Sequence, residues 1–137
     1  MSAHPRLPDW RTRLQEYLLK VARTPFKEGV NDCALFLAGG VAAMTGVDYA
    51  APYRDRYTTT RGGLRILRRD GFEDHVALAA HHLSEKPVAF ANVGDGAVVV
   101  RGNEPALGIV QGASVFVLMP DGIGHVALTQ ASTAWEV

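Results

Sequence analysis

The sequence predicts an α+β domain, with helices in the first part of the chain and a small antiparallel sheet in the second. Three observations carry this. Apolar residues recur at helical spacing up to about Leu83, and after Pro87 they form short β-branched or alternating runs. No helix-length segment separates those runs, so the strands cannot be joined by the crossovers that a parallel sheet needs.

Trp10, Leu14, Tyr17, Leu18 and Val21 lie at helical intervals with Arg11, Arg13, Gln15, Glu16 and Lys20 between them, an amphipathic first helix whose first turn suits Pro8 and Asp9. Pro25 to Gly29 is a turn. A second helix follows from Cys33 to Met44-Thr45. Either Asn31 or Asp32 can cap it, because both side chains accept hydrogen bonds from first-turn N–H groups. Gly46 is its natural stop. This helix is apolar on nearly every side and is expected at the buried centre. Gly39-Gly40 inside it costs about 1 kcal/mol per glycine relative to alanine, and close approach of another backbone is the expected compensation.

Asp48 to Tyr57 is irregular and rich in Arg and Tyr. Thr58-Thr59-Thr60 supplies caps for a short basic helix through Leu64, Leu67 and Arg68, ending near Gly71. A further helix, about Glu73 to Leu83, carries His75, His81 and His82. The strands expected are Ala97–Val100, Leu107–Val110, Val115–Leu118, His125–Leu128 and a last one through Trp135 to Val137, about five in all.

At 137 residues the chain reads as a single domain, 1–137. Charge balances overall but not along its length. Residues 1–70 carry 12 Lys/Arg against 7 Asp/Glu, whereas residues 71–137 carry 2 against 7. A nucleic-acid binder would show a less compensated basic excess. The arginines at 54, 56, 61, 65, 68 and 69 read instead as a solvated helix face that meets acidic partners. A lone cysteine excludes an internal disulfide and a thiolate zinc site. The stretch Met1 to Pro8 is polar, without the apolar core of a signal peptide, and no apolar run approaches the roughly 20 residues that span a membrane. The expectation is a soluble protein made in a reducing compartment, with no membrane insertion.

Cys33 is the candidate for chemistry. It falls in the first turn of the central helix, where the positive end of the helix favours a thiolate. The same position also suits a small buried core residue. His75 and His82 lie seven apart with His81 beside them, but no carboxylate completes a metal motif, so they read as a solvated face and no metal or cofactor is implied. Asp32 reads as a helix cap and Asp95 as a turn former. Tyr53, Tyr57, Trp10 and Trp135 read as core or interface anchors.

A cysteine opening a central helix ahead of a small antiparallel sheet resembles the layout of papain-like cysteine hydrolases. Phe26-Lys27-Glu28-Gly29 followed by Asn31-Asp32-Cys33-Ala34-Leu35-Phe36 resembles the aromatic–Gly and Asp-Cys-small-x-Phe signature of NlpC-type cell-wall peptidases. Gly94-Asp95 before Ala97–Val100 resembles the Gly-Asp turn that opens their first sheet strand. A resemblance covering almost the whole chain is to a family encoded in the tail-gene clusters of tailed phages and prophages. It is carried by Leu7-Pro8-Asp9-Trp10, Asn31-Asp32-Cys33, Met44-Thr45-Gly46-Val47-Asp48, Tyr53-Arg54-Asp55-Arg56-Tyr57, Pro105-Ala106-Leu107-Gly108-Ile109 and Ala134-Trp135-Glu136-Val137.

The resemblance implies an NlpC-like fold, partners among tail-hub and tail-tip proteins, and synthesis in the host cytoplasm before assembly into the virion tail. It also locates a departure. Where the peptidases carry a catalytic histidine in a His-Val-Gly-Ile strand, this chain reads Ala106-Leu107-Gly108-Ile109, so Ala106 occupies the place of the expected base. A cysteine without a base loses the acid/base half of amide hydrolysis. His125, in Gly124-His125-Val126-Ala127, resembles the Gly-His-Val-Ala strand of amidase-type relatives and is the candidate substitute. Two expectations follow: a degenerate peptidase acting structurally in tail assembly, or an active cysteine endopeptidase or amidase that opens peptidoglycan during DNA delivery.

Overall fold

Carboxylates and glycines mark the helix ends much as the sequence implies. In the computed structural model, which describes residues 4–137, Asp32 caps the central helix and its Oδ1 accepts the Leu35 N–H at 2.9 Å. Met1–Ala3, the start of the polar N-terminal stretch, lie outside the described residues. Asn31, the other cap candidate, turns its amide back to the Thr24 and Pro25 carbonyls. Gly46 ends the helix in the left-handed conformation at φ +81°. Thr59 and Asp74 cap the next two helices through Gly62 N and Ala77 N. Asp9 precedes the first helix without capping it, because its carboxylate pairs with Arg13 at 2.8 Å instead.

Among the described residues the order is α1 (Trp10–Ala22), α2 (Cys33–Thr45), α3 (Thr60–Arg69), α4 (His75–His82), β1 (Ser84–Lys86), β2 (Gly96–Arg101), β3 (Glu104–Gln111), β4 (Ser114–Met119), β5 (Gly122–Ala127) and β6 (Ala131–Glu136). Short 3₁₀ turns occupy Ala51–Tyr53, Val88–Phe90 and Leu128–Gln130. The fold is α+β. The sheet runs β1-β6-β2-β3-β4-β5 and every neighbouring pair is antiparallel. It has six strands rather than about five. The additional one, Ser84–Lys86, has no apolar alternation and exists because β6 lies beside it, with Ser84 opposite Glu136 and Lys86 opposite Ala134. The run expected over His125–Leu128 is instead Gly122–Ala127, since Leu128 opens a 3₁₀ turn.

The sheet buries both faces. Leu107, Ile109 and Val98 pack with α1 and α2 residues such as Leu14, Leu37 and Met44. Ala97, Val99, Val110, Val115 and Val117 form a second cluster, flanked by Ala91, Ala106, Val126 and Leu128. The strand period of two sorts these residues onto opposite faces. The glycine pair in α2 is compensated by side chains and not by a backbone. A Cβ on Gly39 would overlap the hydroxyl of Tyr17, which donates to the Phe36 carbonyl at 2.7 Å, and one on Gly40 would lie 2.6 Å from Ile109 Cδ1. No helix among the described residues is long and apolar enough to cross a membrane.

Candidate functional site

Cys33 opens α2 one residue after its cap, so its thiol sits at the positive end of a helix lying on the sheet. That end is already occupied by a carboxylate. Asp32 is buried, and beyond Leu35 N it accepts the Gly29 N–H at 2.8 Å and the Tyr57 hydroxyl at 2.5 Å. Glu28 stands beside it, with Oε1 accepting the Thr60 hydroxyl at 3.0 Å. Burial, then Asp32 and Glu28, with Glu104 adding, push the Cys33 thiol up to about 11. The helix end favours a thiolate, but low-dielectric surroundings and three carboxylates outweigh it. Burial also raises Glu28, and Asp32 adds to that shift. Burial and the bond to Asp32 raise Tyr57, so the phenol remains a donor.

Cys33 lines a cavity of about 600 Å³, counting the part open to solvent. Its walls are largely apolar, from Leu35, Tyr53, Leu64, Leu67 and Leu78, with Glu28 and His75 also on the lining. His75 is a resident that the sequence reading assigned to a solvated face. It is half-buried at the start of α4, and its Nε2 lies 3.1 Å from the Pro105 carbonyl oxygen on β3. A carbonyl only accepts, so Nε2 carries the hydrogen and the neutral ring keeps its lone pair on Nδ1. Cys33 makes no hydrogen bond to an imidazole among the described residues.

The structure does not bring the other predicted residues to Cys33. Ala106 pairs with Val99 and packs in the cluster on the sheet face away from α2. Alternation puts Pro105 on the face of Leu107 and Ile109, so the β3 position facing the α2 side near the cavity is Pro105 and not Ala106. His125 is exposed on the edge strand β5, opposite Phe116, which is itself opposite Ile109. It therefore stands two strands across from β3, about 10 Å, and level with a residue about 17 Å along from the Glu104 end. The other histidines are held by rings: His82 stacks on Tyr49 at 5.2 Å and His81 meets Phe72 edge-on at 5.4 Å. No group of three or more His, Cys, Asp or Glu able to hold a metal occurs among the described residues.

Asp95 does more than form a turn. It is 1% exposed, and accepts Lys86 Nζ at 2.7 Å, Arg6 Nη2 at 3.1 Å and the backbone N–H groups of Asn92 and Val137. One carboxylate thus ties the N-terminal segment, β1 and the end of β6 to the turn before β2. Gly94, at φ +92°, opens that turn with Arg6 and Met44 close against it. The anchors divide: Trp135 and Tyr53 are buried, Tyr57 is half-buried on the cavity, and the half-buried Trp10 ring is met by the guanidinium groups of Arg6 and Arg11 at 4.1 and 4.4 Å.

Residues 5–137 match DUF6950, a domain of unknown function, and the chain belongs to that family. No curated protein and no solved structure matches the chain.

Proposed function

We propose that this protein is a tail-tip component of a tailed phage or prophage, built on an NlpC-like domain of papain type, whose cysteine site serves structure and not peptide hydrolysis. The observation that carries this reading is the setting of Cys33. The residue keeps the helix-opening position of a nucleophile, yet its thiol is held to about 11 by burial and the carboxylates of Asp32 and Glu28. A thiol so placed offers almost no thiolate at neutral pH, and the thiolate is the nucleophile. The tail-cluster motifs from Leu7-Pro8-Asp9-Trp10 to Ala134-Trp135-Glu136-Val137 supply the biological setting. In that setting the chain packs against tail-hub proteins during assembly.

Co-expression with the tail-hub protein of the same gene cluster, followed by co-purification, tests the reading. A stoichiometric complex that survives Cys33→Ala is expected, with no release of fragments from purified sacculi. A chain that stays monomeric beside folded hub protein would overturn it.

One observation favours a second reading, a cysteine hydrolase acting on peptidoglycan. His75 lines the same cavity as Cys33, with the lone pair of its neutral ring on Nδ1. In this reading Nδ1 takes the thiol proton, the sulfur attacks an amide carbonyl, and the imidazolium returns the proton to the leaving amine. It requires sacculus hydrolysis that disappears in both Cys33→Ala and His75→Ala while His125→Ala retains it.

A further inference from the structure

The strongest unexplained feature outside the cavity is α3. Arg61, Arg65, Arg68 and Arg69 are all exposed, and at 3.6 residues per turn their side chains fall within an arc of about 100°. Their opposite face is buried through Gly63 and Leu67. This arrangement is poor chemistry for an isolated helix. Arg61–Arg65 and Arg65–Arg69 are like charges at i,i+4, which repel across one turn. Arg61 also sits in the first turn, where the helix dipole disfavours a cation and where no acidic residue stands.

Little within the chain relieves this. Arg69 reaches Asp70 only at 3.8 Å with both groups exposed, and Arg68 bonds the Glu73 carbonyl. Arg61 and Arg65 have neither an ion pair nor a hydrogen bond among the described residues. A local rule broken without compensation inside the fold marks a surface completed from outside.

We infer that the arginine face of α3 docks an acidic helix of a partner protein, with carboxylates at i, i+4 and i+7 meeting Arg61, Arg65 and Arg68. From Arg61 to Arg68 the helix rises about 10.5 Å, two turns, which matches such a spacing on a parallel neighbour. The basic residues here are all arginine, the side chain whose planar fork takes carboxylates two bonds at a time. A nucleic acid suits the face less well. Glu28 stands at one end, bonded to Thr60, and Glu73 and Asp74 follow the other, so a longer phosphate chain would run past carboxylates. The inference does not rest on the fate of Cys33.

The test uses the full chain and a synthetic helical peptide carrying glutamate at i, i+4 and i+7, with a composition-matched scramble and a short DNA duplex as the other arms, read by fluorescence anisotropy at low ionic strength. The ordered peptide is expected to bind at least tenfold more tightly than the scramble and the duplex, and to weaken as salt is added. Arg61→Gln/Arg65→Gln is expected to weaken it tenfold or more while the melting temperature stays level or rises, because repulsion is removed. Equal binding of ordered and scrambled peptides, tighter binding of the duplex, or unchanged peptide binding by the double variant would each overturn the inference. A fall in melting temperature in that variant would also do so, by showing that the arginines serve the fold itself.

Discussion

The Tyr57 hydroxyl donates a 2.5 Å hydrogen bond to Asp32 Oδ2, and this contact sets the chemistry next to Cys33. It comes from the loop before α3, 25 residues along the chain, and completes a set of donors with the Gly29 and Leu35 N–H groups. These three donors fix the Asp32 carboxyl group at the N-terminal end of α2, one residue before the thiol.

Cys33 should alkylate slowly. A thiol raised from 9.0 to about 11 has a thiolate fraction at pH 8 about a hundredfold below that of an unperturbed one. Iodoacetamide labelling followed by mass spectrometry measures this. Asp32→Asn removes the charge that raises the thiol most and should speed labelling several-fold, at a cost in stability of about 2 kcal/mol from the disturbed cap. Labelling of the wild type as fast as free cysteine would refute the account of the site.

Stability should fall on the alkaline side. The unfolded chain loses the Cys33 proton near 9.0, whereas the fold keeps it to about 11. Across that window the unfolded state binds fewer protons, so unfolding becomes easier as pH rises. The contribution is complete below 9.0 and gone above about 11. Because the side chain is only partly buried, its size should be about 1–2 kcal/mol, below the full value for two pH units. Urea unfolding of wild type and Cys33→Ser at pH 7 and pH 10.5 should show the difference between them changing by this amount; a constant difference would contradict the assignment.

Asp95→Ala should be among the most damaging single changes. It leaves the Lys86 ammonium and the Arg6 guanidinium without their shared carboxylate and two backbone N–H groups without an acceptor. Removing one partner of a buried charge cluster costs about 3–5 kcal/mol. Chemical denaturation would read the loss, and hydrogen exchange should localise it to β1 and the end of β6.

Gly39→Ala should destabilise, although alanine favours a helix over glycine by about 1 kcal/mol. The new methyl group overlaps the Tyr17 hydroxyl, and overpacking of this kind costs about 1–3 kcal/mol. Tyr17 Cζ and Cε1 would also lie within 3 Å of that methyl, so pairing it with Tyr17→Ala removes the whole collision and the two losses should be less than additive in thermal melts. Fully additive losses would mean that the collision is not with Tyr17.

The helices were legible because their signals are local. The spacing of Trp10, Leu14, Tyr17 and Val21, the Asp32 cap and the Gly46 stop each act within one or two turns. The strand runs after Pro87 were legible for the same reason, through alternation and turn residues. β1 was not, since Ser84–Lys86 becomes a strand only by meeting β6 from the far end of the chain. The site was half legible. Cys33 and its cap could be placed, but strand parity sets Ala106 against the second cluster, edge position removes His125, and His75 reaches the cavity through a contact 30 residues away.

By itself the sequence determined an α+β chain with a cysteine at the mouth of its central helix, because propensity, capping and periodicity are properties of neighbouring residues. Only the tertiary structure decided what surrounds that cysteine: Glu28, Asp32 and Tyr57 on one side, His75 held to Pro105 on another, and Leu64 and Leu67 across the cavity. These groups come from separate segments. Their effect on the thiol depends on burial and on distances of a few ångströms, which exist only once the helices have packed on the sheet.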